Sequence, residues 1–153
     1  MSRRAMIRMS QDEIDAFLAE RHTMNIATIG PDGNIHLVAM WYGFLNGNPA
    51  FATFAKSQKV VNLRRDPRIT ALVETGDVYE ELKGVEIVGR AVLHEDPETK
   101  ELVARSVAAR YFDVSAAADL DVVIAGLVNK RVAVEIVPEK IVSWDHAKLG
   151  GVY

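Results

Sequence analysis

Apolar positions recur along this chain with two periods. Ile14, Phe17 and Leu18 are spaced as on one helix face. They follow Ser10-Gln-Asp-Glu13, a capping box in which the Ser10 hydroxyl accepts from the Glu13 amide and Glu13 reaches back, so a short amphipathic helix is predicted over 10–21. Period two then takes over. Residues 24–29 are rich in β-branched side chains and stop at Gly30-Pro-Asp-Gly33, a strong turn. Ile35, Leu37, Ala39 and Trp41 alternate with His36, Val38, Met40 and Tyr42. Neither set is purely polar, which predicts a strand covered on both faces. Asn46-Gly47 suits a type I′ hairpin, whose central residues need positive φ, and residues 50–54 form the returning strand.

The period changes again at Ser57, a candidate N-cap, for a short helix ended by Pro67. Strands are predicted over 68–74 and 85–93, around a turn at Gly76-Asp77. Asp96 and Pro97 open a helix whose apolar face is Leu102, Val103, Val107 and Tyr111, and a second helix is expected from Ser115 through Leu127. Val132, Val134 and Ile136 mark one face of a last strand, with Pro138 expected to interrupt it before residues 141–144 continue. Successive strands joined by tight turns, with helices between, argue for an α+β fold: an antiparallel barrel with flanking helices, in one domain over residues 1–153. No Gly-x-Gly-x-x-Gly joins a strand to a helix and no Gly-x-x-x-x-Gly-Lys occurs, so neither nucleotide-binding loop is expected.

Composition narrows the chemistry. The chain has 153 residues, 49% hydrophobic and 25% charged, with a net charge of −3 and no cysteine. These are globular values, and the charge argues against a nucleic-acid-coating surface. Thiolate metal sites, disulfides and cysteine nucleophiles are excluded together, which fits a reducing compartment. No apolar run reaches the ~20 residues of a membrane span. Arg3-Arg4 is not followed by the apolar stretch of an export signal, so a cytoplasmic protein is expected. The four histidines, His22, His36, His94 and His146, share no metal-ligand spacing, and no Gly-x-Ser-x-Gly elbow or positioned carboxylate pair stands out.

Residues 56–68 differ from the rest. Lys56, Lys59, Arg64, Arg65 and Arg68 stand against Asp66 alone, a local sum of +4. The cluster sits where a strand passes into a helix, whose free amides, with Ser57, Lys59 and Asn62 beside them, form a natural phosphate site. The bland alternative is a solvated basic face with Lys59 exposed and contributing little to stability. Trp41 and Tyr42 must point to opposite faces, so at most one lines a given pocket. Trp144 is expected near a surface or subunit boundary, and Arg90, in mid-strand, is either edge-facing or aimed at an anion.

These residues also carry a resemblance. Lys59-Val-Val-Asn62-Leu-Arg-Arg-Asp-Pro67-Arg68 is similar to the motif of the split β-barrel flavin and deazaflavin oxidoreductases, the pyridoxamine 5′-phosphate oxidase superfamily, in its actinobacterial deazaflavin-binding B group. Ile26-Ala-Thr-Ile29 with the Gly30–Gly33 turn, the Trp41-Tyr42 strand and Val142-Ser-Trp-Asp-His146 support it, over about residues 14–146. The resemblance implies a six- to seven-stranded split β-barrel and a homodimer with two cofactor sites at the subunit interface. It implies an oxidoreductase that moves a hydride between coenzyme F420, a deazaflavin, and an unsaturated small molecule. The alternatives are an FMN-dependent oxidase or reductase, or a cofactor- or haem-binding protein without turnover. Lys59 matches the family lysine on the cofactor phosphate and Asn62 the asparagine of the same turn. Ser57 falls where close relatives often carry arginine, with Lys56 or the Ser57 hydroxyl as substitutes. Val38, Met40 and Trp41, with Thr53, Phe54 and Ala55, are expected to line the cofactor ring. Surplus charge on Arg64 and Arg68 would favour the longer, polyglutamate-tailed deazaflavin. The cofactor supplies the hydride chemistry in such proteins and the chain binds and orients it, so no catalytic residue is named and no metal is expected.

Overall fold

A computed structural model describes residues 1–113, 115 and 119–151. Two N-terminal helices, α1 (Arg3–Met6) and α2 (Gln11–Ala19), precede β1 (Met24–Ile29), β2 (Ile35–Met40), β3 (Gly43–Leu45) and β4 (Asn48–Phe54). Next come α3 (Gln58–Arg65), β5 (Arg68–Thr75), β6 (Lys83–His94), α4 (Pro97–Tyr111), α5 (Leu120–Val128) and β7 (Arg131–Asp145). Short 3-10 turns lie at Tyr79–Glu81 and His146–Leu149. The second helix was expected from Ser115. Residues 114 and 116–118 of that stretch lie outside the described residues, and α5 begins at Leu120.

All seven strands pair antiparallel in the order β2-β1-β5-β6-β7-β4-β3. The two edge strands, β2 and β3, are joined through Trp41 and Tyr42 alone. Such a link reaches roughly 11 Å, whereas seven flat strands ~4.8 Å apart would separate their edges by roughly 29 Å. The sheet therefore curls, and its concave side becomes the core. Met24 and Ile26 of β1, Phe51 of β4, Ile69 and Val73 of β5, Ile87 of β6 and Val134 and Ile136 of β7 pack there with Phe17 and Leu18 of α2. Full burial of each such side chain is worth ~1.5–3 kcal/mol. The fold is the seven-stranded, half-open barrel with flanking helices that the resemblance implied.

Local signals mostly act as expected. The capping box forms, with Ser10 Oγ accepting from the Glu13 amide at 3.2 Å and Glu13 accepting from the Ser10 amide at 2.6 Å. Asn46 and Gly47 both take positive φ, 53° and 76°, in the hairpin between β3 and β4. Asp96 caps α4 by accepting from Thr99 N at 2.9 Å. Arg110, near the end of α4, donates to the carbonyls of Leu18, Ala19 and Glu20 at 2.9–3.2 Å and to Tyr42 O at 2.8 Å. Together with the Tyr42 hydroxyl, which also donates to Leu18 O, it satisfies the carbonyls that end α2.

Three expectations change. β7 runs unbroken through Pro138, because the ladder slips there: Val88 pairs with Lys140 but Gly89 with Pro138. The missing proline N–H is absorbed in a bulge, and a Cβ on Gly89 would lie 2.2 Å from Val137 O. On α4, Leu102 points outward while Ala104 and Ala108 turn inward, because the helix packs closely. A Cβ on Gly43 of β3 would meet Ser106 Oγ at 2.4 Å, so this approach requires glycine. Of the two alternatives for Arg90, the anion-facing one holds: it lies on the central strand β6 and pairs with Glu139 at 3.3 Å. Finally, β2 is covered on one face only: Val38 and Met40 pack on the core, while Ile35 is 64% and Leu37 67% exposed.

Candidate functional site

Helix α3 closes one end of the barrel. Val60 and Leu63 enter the core by helical spacing, and the same geometry turns Lys59 and Asn62 inward. Lys59 is only 8% exposed, contrary to the expectation of a solvated helix-start lysine. Its Nζ donates to Thr53 Oγ1 at 3.1 Å, and no carboxylate pairs with it among the described residues. Burial pushes its pKa below the ordinary lysine value. Asn62, fully buried, donates to Thr28 Oγ1 at 3.0 Å and accepts from Gln58 at 2.8 Å.

Ser57 occupies the N-cap position, yet its side chain makes no capping bond and its buried Oγ has no partner. An unmade bond of this kind costs ~1–3 kcal/mol. His36 stands opposite Thr28 in the β1–β2 register, and its Nδ1 is likewise buried without a partner. Lys56 is exposed. A buried cation without a counter-ion, an orphaned hydroxyl and the free amides of α3 are what a phosphate monoester would satisfy. The donor set fits the phosphate end of a flavin-type cofactor.

The remaining cations of the cluster are committed elsewhere. Arg64 pairs with Glu95 at 2.6 Å, Arg68 with Asp66 at 2.7 Å, and Arg65 donates to the Ile29 carbonyl. The expected surplus of charge for an anionic tail thus falls largely to Lys56. Sequence arithmetic counts Glu95 as remote, but the fold brings it to α3.

A second feature lies across the end of β4. Thr53 faces the barrel interior, whereas Phe54 faces outward and is covered on one side by the Arg131 guanidinium, 4.3 Å from its centroid. Arg131 lines a cleft of about 480 Å³ with Ala39, Met40, Trp41, Ala52, Thr23, Ala104, Val107, Phe112 and Leu127. Trp41 stacks on Tyr111 with centroids 5.0 Å apart and planes 6° from parallel, and Phe112 meets it edge-on at 5.7 Å. Tyr42 is fully buried. Its hydroxyl donates to Leu18 O at 2.6 Å, and burial pushes its pKa up to about 12.

Of the ten residues expected at the site, Thr53, Ser57, Lys59 and Asn62 gather at the barrel end, while Met40 and Trp41 line the cleft. Phe54 meets the cleft through Arg131, Val38 and Ala55 pack on the core, and Lys56 stays at the surface. Arg131 was missed. Its signal was the strand alternation that sets it opposite Val132, Val134 and Ile136. Thr28 and His36 carried no signal, because only the β1–β2 register places them beside α3. Among the described residues, no three His, Asp or Glu side chains are grouped to hold a metal, and no helix is long and apolar enough to cross a membrane.

A curled, seven-stranded antiparallel sheet with flanking helices, Lys59 and Asn62 at one end and an aromatic cleft beside them, is a split-barrel architecture. The chain belongs to the pyridoxamine 5′-phosphate oxidase family, which it matches over residues 10–145. It is similar to the solved structure of the conserved hypothetical protein Rv2991 from Mycobacterium tuberculosis, at 45% identity and a TM-score of 0.92, over 100% of this chain and 95% of that one. A structure described as an F420 reductase shares the fold at 20% identity and a TM-score of 0.64, over 83% of this chain and 94% of that one. So does HutZ, the haem storage protein from Vibrio cholerae, at 16% identity and a TM-score of 0.70, over 90% and 97%. No curated protein matches the chain.

Proposed function

We propose that this protein is an F420-dependent oxidoreductase working as a homodimer. The observation that carries the reading is the buried, uncompensated Lys59 beside the orphaned Ser57 hydroxyl at the start of α3. Family membership supports it, as does the similarity of the 59–68 segment to deazaflavin-binding relatives. When bound, the deazaflavin would supply the hydride. The chain's own residues do the rest: Lys59, Ser57 and the first amides of α3 hold the phosphate, with Asn62 fixed by Thr28 and Gln58 to keep the cradle in shape. Met40 and Trp41 would border the ring, and the apolar walls of the cleft would exclude water from it. The exposed Ile35 and Leu37 face of β2 supports pairing with a second copy, since a patch of large aliphatic side chains gains by burial.

Titration of the purified protein with F420, FMN and haem tests this reading. F420 should bind most tightly and support reduction of an unsaturated acceptor. Tighter FMN binding would move the assignment to the flavin enzymes, and a Soret band from the protein as purified would move it to haem binding.

A further inference from the structure

Among the described residues, the cleft beside β4 has one charged lining residue, Arg131, and one further polar one, Thr23. Arg131 makes no ion pair among the described residues, and its Nε is buried without a hydrogen-bond acceptor. Its guanidinium lies over the Phe54 ring at 4.3 Å, a contact that restrains the side chain. A buried guanidinium nitrogen left without an acceptor is costly in the free protein, and an incoming anion relieves that cost. Further along the wall stands Trp41, 49% exposed, stacked on Tyr111 and set nearly at right angles to Phe112. Held by these two rings, the indole lines the cleft as a rigid aromatic wall.

We infer that the cleft selects a planar, conjugated molecule bearing a carboxylate, with the carboxylate on Arg131 and the conjugated plane against Trp41. This rests on the oxidoreductase reading, for which it names the class of hydride acceptor. A single planar fork matches a monoanionic carboxylate in two parallel bonds. A phosphate dianion would need more donors than this apolar cleft holds, whereas those donors are present at α3. In the reduction, the acceptor's C=C bond gains a hydride from the reduced deazaflavin and a proton from solvent, as the cofactor loses two electrons. Carboxylates on the cofactor's own tail present the same chemistry to Arg131, so the test separates the two sources.

Calorimetric titration of the full chain with cinnamate and with its neutral analogue cinnamamide, with and without F420, decides the matter. Wild type should prefer cinnamate by about tenfold or more. Arg131→Gln should abolish the preference by weakening cinnamate about 10- to 100-fold, the range for one charge-assisted contact, while leaving cinnamamide within about twofold. Arg131→Lys keeps the charge without the fork and should retain part of the preference, which guards against a folding defect in the glutamine variant. The affinity for F420 should stay within about threefold in both variants. Equal weakening of both probes, or no preference in wild type, overturns the inference. A variant that loses F420 but keeps cinnamate also overturns it, by giving Arg131 to the cofactor. Failure of wild type to bind F420 would count against the oxidoreductase reading, and the cofactor-free titration would still judge Arg131.

Discussion

The two outer faces of the curled sheet are built from different residues and meet different fates. Where α4 crosses β4 and β7 the outward positions are small, Ala50 and Ala133 being fully buried against Val103 and Val107 of α4. Over β2 they are large: Ile35 and Leu37 stand about two-thirds exposed, at 64% and 67%. Small side chains let a helix backbone approach closely, as the Gly43–Ser106 contact also shows. Large aliphatics left in water would instead each regain ~1.5–3 kcal/mol by burial. The first face is finished by its own chain, and the second is suited to completion by another copy.

The sharpest way to break this contrast is to charge the bare face. In the double variant Ile35→Asp with Leu37→Asp, pairing of two copies would bury unpaired carboxylates, at a cost of several kcal/mol. Light scattering should show the dimer dissociating at least about 100-fold more readily, with the monomer still folded. F420 affinity should fall with it if the site spans both copies. A wild type that is monomeric at micromolar concentration would end the comparison.

Lys59 lies under neither face and should respond separately. Lys59→Met keeps the aliphatic stem and removes the charge, so F420 binding measured by fluorescence should weaken about 10- to 100-fold. Assembly should not change. The melting temperature of the cofactor-free protein should hold or rise, because a buried cation without a counter-ion is lost.

On the covered face the effect moves to stability. Val103→Ala removes two methyl groups from a fully buried position on the inner face of α4. This should cost about 2 kcal/mol, or roughly 4–8 °C by calorimetry for a chain of this size. Cofactor affinity and assembly should be unaltered.

A smaller effect follows from titration. Because the folded-state pKa of Lys59 lies below the unfolded value near 10.5, the unfolded chain holds a proton that the folded chain has released in the window between them. Stability should therefore rise with pH through that window as the buried charge is relieved. Denaturant melts from neutral pH toward pH ~10 should show a gain in wild type relative to Lys59→Met. Saturating phosphate should shrink it by favouring the charged form. The smallest effect is that of salt on cofactor choice. F420 should bind more tightly than FMN, and salt should narrow the gap. With Arg64 and Arg68 already paired, the change should amount to less than ~1 kcal/mol, as for exposed ion pairs.

Much of this protein is determined by local pattern. The capping box at Ser10, the Asn46-Gly47 hairpin and the proline-opened helix at Asp96 need only neighbouring residues to form, so they are legible in the chain itself. The Lys59–Arg68 segment stands out in the chain as well, because charge and helix signals coincide there. Tertiary structure alone decided which of its cations remain free. Glu95 reaches Arg64 only because β6 brings it back to α3, and Lys59 is buried only because α3 closes the barrel end. It likewise decided that β7 passes through Pro138, by slipping the ladder at Gly89, and that Arg131 lies on Phe54 facing an aromatic cleft. Pairings between residues distant in sequence depend on register and on how the sheet curls, and neither quantity is written in any short window of the chain.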